Sequence, residues 1–449
     1  MTKTIKLRKG MNINLQGAPS DTIILPKTSE IYALKPEGFE GITPKVVVKV
    51  GDNVKAGDFL FVDKRHDEVG FASPVSGVVT EIVRGERRRV VSINVKADDK
   101  IAYKEFATLN IDTASAEDVK QRLIEAGLFG YISQLPYAIT TSPDTTPKAI
   151  FISALRDMPL ATDFSIELKD NEEFFQAGIS ALAKIAPVYL GIGKNADNFL
   201  QNLKDADTTI FDGPCPAGNV GVQINHISPI NKGEIVWTIN PTAIIFIGRL
   251  MLKGIVDLRR TITIAGSAAK QTGRMEVVVG QSISSILHDY SAEDLKHKRI
   301  INGNPLTGKC ASVEDYLLPH TSEITIIPEG DDNDEFLGWI MPRTKQLSAN
   351  RSYFSWLMPN KKYALDARIK GGERHMIMSG EYDKVIPMDI YPEYLIKAII
   401  AEDIDKMEQL GIYEVSPEDF AVAEFVDSSK LELQHIVRNG LDMLRRENS

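Results

Sequence analysis

The run with the residue types and spacing most suited to chemistry is Gly191-Ile192-Gly193-Lys194-Asn195-Ala196. It follows the apolar stretch Pro187-Val188-Tyr189-Leu190 and opens a segment of helical character, residues 195–205. Glycines between a strand and a helix let a pyrophosphate approach the helix N-terminus, and an acid at the end of the next strand can hold a ribose hydroxyl. Asp212 ends the next apolar run, Thr208-Thr209-Ile210-Phe211, at nearly the expected offset. Gly191, Gly193 and Asp212 thus form a candidate NAD(H)-binding set for a redox enzyme. A plainer reading carries more weight. The strand before the glycines is the second of its unit, and Asp212-Gly213-Pro214 is ordinary turn chemistry.

The segment that follows, Gly213-Pro214-Cys215-Pro216-Ala217-Gly218-Asn219-Val220-Gly221, is stiff and has little side-chain bulk. Backbone amides around Gly213, Pro214, Pro216 and Gly218 could face a ligand or a partner; a structural crossover loop is the slightly weightier reading. Cys215 has no base near it in sequence and reads as a small buried thiol. Cys310 is the only other cysteine, so a disulfide framework is excluded and the chain cannot furnish four thiolates to a cluster. The histidines show no metal-ligand spacing; His288 and His297 are too far apart for one helix face. No catalytic residue, metal site or resident cofactor is expected.

Those residues need elements to hold them, and the clearest elements lie in residues 45–95. Short apolar and β-branched runs end at Gly-Asp, Gly-Glu or Ser-Pro, the pattern of strands joined by tight turns. Lys49-Val50-Gly51-Asp52-Asn53-Val54 and Pro74-Val75-Ser76-Gly77-Val78-Val79 echo each other, which suits a small sandwich of two interlocked four-stranded sheets. Through GDNVKAGDFLF, DK and SPVSGVV this stretch resembles the biotinyl/lipoyl carrier domain. The resemblance places Lys64 where such a domain carries its modified lysine. The crowded turn Arg65-His66-Asp67-Glu68 beside it favours a solvated lysine on a borrowed scaffold over a swinging arm.

The chain has 449 residues, 43% hydrophobic and 25% charged, an ordinary globular composition of about three domains. A net charge of −9 argues against a nucleic-acid binder. No apolar run approaches the roughly 18 residues of a membrane span; residues 243–252 are too short and contain Arg249. The start MTKTIKLRKGMNINLQG lacks the apolar core of a signal peptide, so a cytosolic location is expected, compatible with docking on a membrane complex.

In order, residues 1–44 read as extended chain wrapped on the first domain. Ser115 caps a helix that Gly127 stops. Buried strands at 148–154, 187–190 and 208–211 alternate with helices at 171–185 and 195–205, a Rossmann-like α/β unit. A strand at 259–266 paired as a hairpin with 274–280, a capped helix at 281–287 and a strand at 298–303 suggest a β-grasp of the soluble-ligand-binding (SLBB) kind. Beyond Pro392 come helices at 394–410, from Ser416, and at 433–446. The expected architecture is multidomain α/β and α+β: 1–100 with a barrel-sandwich hybrid, 101–255 α/β, 256–330 β-grasp, and 331–449 mainly helical.

That order of modules, with GDNVKAGDFLFVDK, SPVSGVVTEIVRGERR, GPCPAG, MDIYPEYLIKAIIAEDIDKMEQLGIYEVSPEDFA and Arg438-Asn439-Gly440-Leu441, resembles the A subunit of the sodium-translocating NADH:quinone oxidoreductases over nearly the whole chain. More distantly the layout is similar to the NADH-binding flavoprotein of respiratory complex I and to the C subunit of the Rnf complex. The resemblance implies a peripheral component of a six-subunit pump on the cytoplasmic face of the bacterial inner membrane. The pump couples NADH oxidation and ubiquinone reduction to sodium export. This chain would dock on the membrane-embedded B subunit and influence quinone access, while FAD, FMN, riboflavin and iron–sulfur centres reside in partner subunits. Where the flavoprotein has a glycine-rich FMN loop, this chain has Ala126-Gly127-Leu128-Phe129-Gly130-Tyr131-Ile132, whose bulk denies a phosphate its approach. Ala423-Glu424-Phe425-Val426-Asp427 stands where some members of the family keep two cysteines.

Overall fold

In a computed structural model, residues 2–332, 343–349, 351 and 353–448 are described. Alternating apolar residues between 31 and 97 build two facing sheets. One has four strands in the order Ile31–Leu34, Val90–Ala97, Gly77–Arg84, Asn53–Val54; the other has three, Pro44–Val46, Phe59–Asp63 and His66–Ala72. The expected second four-stranded sheet is therefore one strand short. Their core is aromatic: Phe61 stacks on Phe71 with centroids 4.6 Å apart, and Phe39 lies 4.4 Å from Phe71.

A seven-stranded sheet forms the centre of the molecule. Its order is Lys3–Lys6, Asp207–Asp212, Val188–Gly193, Ile150–Ser153, Val236–Ile239, Ile132–Leu135, Ile139–Thr140. The first five run parallel; Ile132–Leu135 pairs antiparallel with its neighbour. Such sheets are covered on both faces, so their strands are apolar on both sides; Ile150, Ile152, Leu190 and Trp237 are fully buried. Helix Ala116–Glu125 begins at Ser115 with a reciprocal Ser115–Asp118 capping box. Glu172–Leu182 and Pro241–Lys253 are the longest covering helices. The expected helix at 195–205 shrinks to one turn, Asn198–Gln201, whose apolar content is too small to extend a buried face.

The N-terminal segment departs from expectation. It does not stay on the sandwich: Lys3–Lys6 completes the edge of the seven-stranded sheet, pairing with Asp207–Asp212. Beyond it, Gly10 N–H donates to Lys384 O (3.0 Å), Gln16 N–H to Tyr363 O (2.9 Å) and Ile24 N–H to Arg274 O (2.8 Å). One extended arm thus satisfies backbone groups of three separate regions before entering the sandwich.

Residues 259–328 form a mixed five-stranded sheet, ordered Gly273–Val278, Arg259–Ala265, Glu323–Pro328, Lys298–Asn302, Lys309–Ala311, with the short helix Ile283–Ile286 against it. The last region is helical, but the single helix expected over 394–410 is two, Pro392–Ile400 and Ile404–Gln409. Glu402 turns left-handed at φ 56°, and Asp403 caps the second helix by accepting from Lys406 N–H. A long amphipathic helix, Leu433–Glu447, closes the chain. No helix among the described residues is long and apolar enough to cross a membrane.

Candidate functional site

After the outer strands Lys3–Lys6, Ile132–Leu135 and Ile139–Thr140, the chain lays down Ile150–Ser153 in the central sheet, builds outward to Val188–Gly193 and Asp207–Asp212, then returns to place Val236–Ile239 on the other side of Ile150–Ser153. The crevice outside the carboxyl ends of those two strands is a topological switch point, where α/β sheets take their ligands. A cavity of about 750 Å³ opens there. Ser153, Ile239 and Asn240 line it from the strand ends; Asn302, Lys309 and His320 from the five-stranded sheet and its loops; Glu418, His435 and Arg438 from the C-terminal helices.

The GPCPAG loop forms one wall, but only through its last glycine. Gly218 and Asn219 face the cavity. The earlier part, Gly213 and Pro214, lies against the N-terminal arm: a Cβ on Gly213 would sit 2.7 Å from Leu7 Cβ, and Met11 N–H donates to Cys215 O at 2.7 Å. Pro216 is buried. Cys215 is buried with Sγ 3.7 Å from Met158 Sδ, and burial and the nearby Asp157 raise its thiol pKa, so it stays an inert thiol.

Asp157 decides the character of that wall. Its Oδ2 accepts the Gly218 N–H at 2.9 Å, and its Oδ1 is buried without a hydrogen-bond partner. Burial pushes the carboxyl up to about 6, against the pull of the backbone amides. Glu418 and Asp419 stand beside it. Asp419 accepts from Ser416 N–H and Oγ, both at 2.8 Å, and from Asn219 Nδ2 at 3.2 Å. Burial raises both carboxyls, Glu418 additionally through the charges of Asp419 and Asp157. Three carboxyls in one low-dielectric place hold protons more tightly than isolated ones.

Beneath them lies a paired network. Arg156 Nη2 donates to Glu167 Oε2 (3.1 Å) and to Thr242 Oγ1 (3.0 Å); Arg260 Nη2 donates to the same Thr242 oxygen (3.0 Å), and its Nε is 3.4 Å from Glu167 Oε1. Arg260 and Glu167 are buried, so neither charge is tolerable without the other. His320, between Phe39 and Tyr131, is pushed down to about 4 by burial and by Arg260, so it is neutral at pH 7.

The residues singled out for a dinucleotide sit elsewhere. Gly191 and Gly193 are not a loop: both belong to the strand Val188–Gly193. A Cβ on Gly191 would meet Gln223 Oε1 at 1.9 Å, and one on Gly193 would meet Leu155 Cδ1 at 3.0 Å. The space freed by the glycines is filled by this chain's own side chains. Asp212 ends its strand and pairs with Lys194 at 3.5 Å. Lys64 is exposed at a hairpin tip, its N–H donating to Thr43 O at 2.7 Å, with Arg65 beside it bonded to Asp63 at 3.1 Å. Among the described residues no group of His, Cys, Asp or Glu could hold a metal ion. Asp157, Glu418 and Asp419 carried no sequence signal of a site, because Asp157 is far from the other two along the chain.

Comparison with known proteins follows the same division of the chain. Residues 5–98 match the family described as "NqrA N-terminal barrel-sandwich hybrid domain", and residues 114–256 the "NqrA second alpha/beta domain". The A subunit of the Na(+)-translocating NADH-quinone reductase of Haemophilus influenzae (strain PittGG) is 34% identical over 99% of this chain and 100% of its own length. The chain belongs to the NqrA family, the A subunits of the Na(+)-translocating NADH-quinone reductases. The relative from Pasteurella multocida is 32% identical and that from Neisseria meningitidis serogroup A 33%, each over 99% of this chain and 100% of its own. A crystal structure of an NAD+-reducing [NiFe]-hydrogenase covers 51% of this chain and 52% of its own at 12% identity, with a TM-score of 0.31, too loose a likeness to carry an argument. Membership in the NqrA family accounts for the carrier-like sandwich ahead of the α/β unit.

Proposed function

We propose that this chain is a cofactor-free peripheral subunit. It docks on the membrane-embedded B subunit at the cytoplasmic face of a six-subunit pump that couples NADH oxidation and quinone reduction to sodium export, while partner subunits carry the flavins and iron–sulfur centres. The observation that carries the cofactor-free reading is Asp157. Its carboxylate takes the Gly218 amide at the switch point, where an open α/β sheet would offer backbone N–H groups to a phosphate. A second anion there would face Asp157, Glu418 and Asp419 together. The filled space at Gly191 and Gly193 supports the same reading. So does the segment 126–132, where Phe129 packs edge-on to Trp237 at 5.6 Å and Tyr131 to Phe246 at 5.9 Å, side-chain bulk that a glycine-rich phosphate loop lacks.

The cavity supports a part in quinone access. Leu155, Met158 and Ile239 give it apolar wall, and Asn219, Glu418 and His435 give it hydrogen-bonding groups. The strand order of residues 259–328 supports a β-grasp that braces the cavity, and the parallel order of the central sheet supports a Rossmann-like unit that has lost its nucleotide.

The test is an affinity capture of the tagged chain from its native membranes, with an absorption spectrum and an NADH titration of the isolated chain. Co-purification of a flavin-bearing membrane complex with a colourless isolated chain is expected. Stoichiometric NADH binding weakened by Asp212→Ala would restore the dinucleotide reading instead.

A further inference from the structure

A second hollow, a cleft of about 520 Å³, lies between the sandwich and the last helix. It is lined by Arg65, Arg89, Lys309, Arg445 and Arg446, brought from four places in the chain. The acids on its wall are Glu37, Glu40 and Asp442. Two of these are engaged by cations that do not line the cleft: Glu37 with Lys35 at 2.6 Å and Asp442 with Arg438 at 3.4 Å. Arg65 and Arg445 both donate to Gly41 O, and Arg65 is also paired with Asp63 at 3.1 Å. Lys309 Nζ also spends itself on a carbonyl, Glu37 O, at 2.9 Å. Among the described residues neither Arg89 nor Arg446 forms an ion pair. Arg89 ends the turn Gly85–Arg89, in which Arg87 and Arg88 are left-handed at φ 51° and 60°. Glycine or asparagine would sit there without strain, whereas arginine costs roughly 1 kcal/mol or more at such positions. In a chain of net charge −9, this concentration of cations goes against the composition.

We propose that this cleft binds a phosphate-bearing anion. The guanidinium forks of Arg89 and Arg446 take its oxygens, and Arg65 and Lys309 add positive charge from the walls. The hollow is concave and of small-ligand size, within the roughly 300–1,000 Å³ of such sites, which favours a compact phosphate group over an extended acidic protein segment. The group can belong to a soluble phosphate compound or to a lipid headgroup. Because the binding groups come from the sandwich, the five-stranded sheet and the last helix, a bound anion ties those regions together.

The full-length protein is titrated calorimetrically with inorganic pyrophosphate. In parallel it is sedimented with phosphatidylcholine vesicles with and without phosphatidylglycerol. The variants are Arg89→Gln, Arg446→Gln and the pair, all at exposed positions, with Arg84→Gln as a control outside the lining. Saturable pyrophosphate binding is expected, weakened about tenfold by each single change, the loss of one charge-assisted contact, and unaffected by Arg84→Gln. Pyrophosphate binding without vesicle retention assigns a soluble anion. Retention on phosphatidylglycerol that pyrophosphate competes away and the double variant abolishes assigns a headgroup. Absence of both bindings, pyrophosphate binding unchanged in the double variant, or tighter binding of a polyglutamate peptide than of pyrophosphate overturns the proposal.

Discussion

The switch-point cavity and the basic cleft are neighbours, sharing Glu37, Glu40 and Lys309 in their walls, yet they handle charge in opposite ways. In the cavity, charge is buried and internally answered. Arg156 and Arg260 share Glu167, the Gly218 amide is taken by Asp157, and Asp419 is held by Ser416 and Asn219. In the cleft, Arg89 and Arg446 are exposed without an ion pair among the described residues and Lys309 is answered by a neutral carbonyl, while Arg65 is paired with Asp63. The contrast teaches where each site's energy resides. A buried network is fixed by folding, and removing one member costs stability. An exposed excess of one sign costs the fold little and remains available to a ligand.

The largest effect expected from this contrast is at Glu167. Glu167→Ala leaves Arg156 and Arg260 facing each other in the interior and should lower unfolding stability by about 3–5 kcal/mol, read by urea denaturation. A loss no larger than that of a surface substitution would break the picture of an internally answered floor.

A smaller effect, of opposite sign, is expected at the carboxyl wall. Asp157 is raised from 3.8 to about 6, so between those values the native chain holds a proton that the unfolded chain has released. Its contribution to stability is full below the ordinary carboxylate range and is lost as pH rises through about 6; Glu418 and Asp419 shift in the same direction. Asp157→Asn should therefore gain stability relative to the parent at pH 8, on the order of 2–3 kcal/mol, and gain little at pH 4. Thermal melts of both proteins across that range measure it. A difference that does not change with pH would show that the carboxyl is not held protonated by its surroundings.

The smallest effect is at the cleft. Arg446→Gln and Arg89→Gln should each change stability by no more than about 0.5 kcal/mol, because each side chain is exposed and buries no network. If either change destabilised the chain as Glu167→Ala does, the cleft would be a structural junction like the cavity floor and the contrast would disappear.

Much of the fold was legible because it is local. The Ser115–Asp118 cap, the stop at Gly127, the hairpin of Arg259–Ala265 with Gly273–Val278 and the buried parallel strands all follow from periodicity and turn chemistry within a few residues. The helix over 394–410 was misread for an equally local reason: its apolar spacing continues through the break, and only the Asp403 cap with left-handed Glu402 divides it. The arm at 1–44 was misread for a different reason. Nothing near Lys3–Lys6 specifies a partner at Asp207–Asp212, since strand pairing at that separation is set by which sheet edge is left unfilled.

The sites divide in the same way. Sequence determined that GPCPAG is a stiff loop of low bulk and that Cys215 is an inert thiol, since both depend on residue type. It also offered Gly191 and Gly193 as a phosphate loop, because a glycine's missing side chain reads the same whether a ligand or Gln223 occupies the space. Tertiary structure alone decided that occupant. It also decided that Asp157 meets Gly218, that Glu418 and Asp419 join them, and that Arg65, Arg89, Lys309 and Arg446 line one cleft. Periodicity fixes which face of an element is apolar. Which distant residues share a hollow depends on how those faces are stacked, and no short stretch of the chain encodes that.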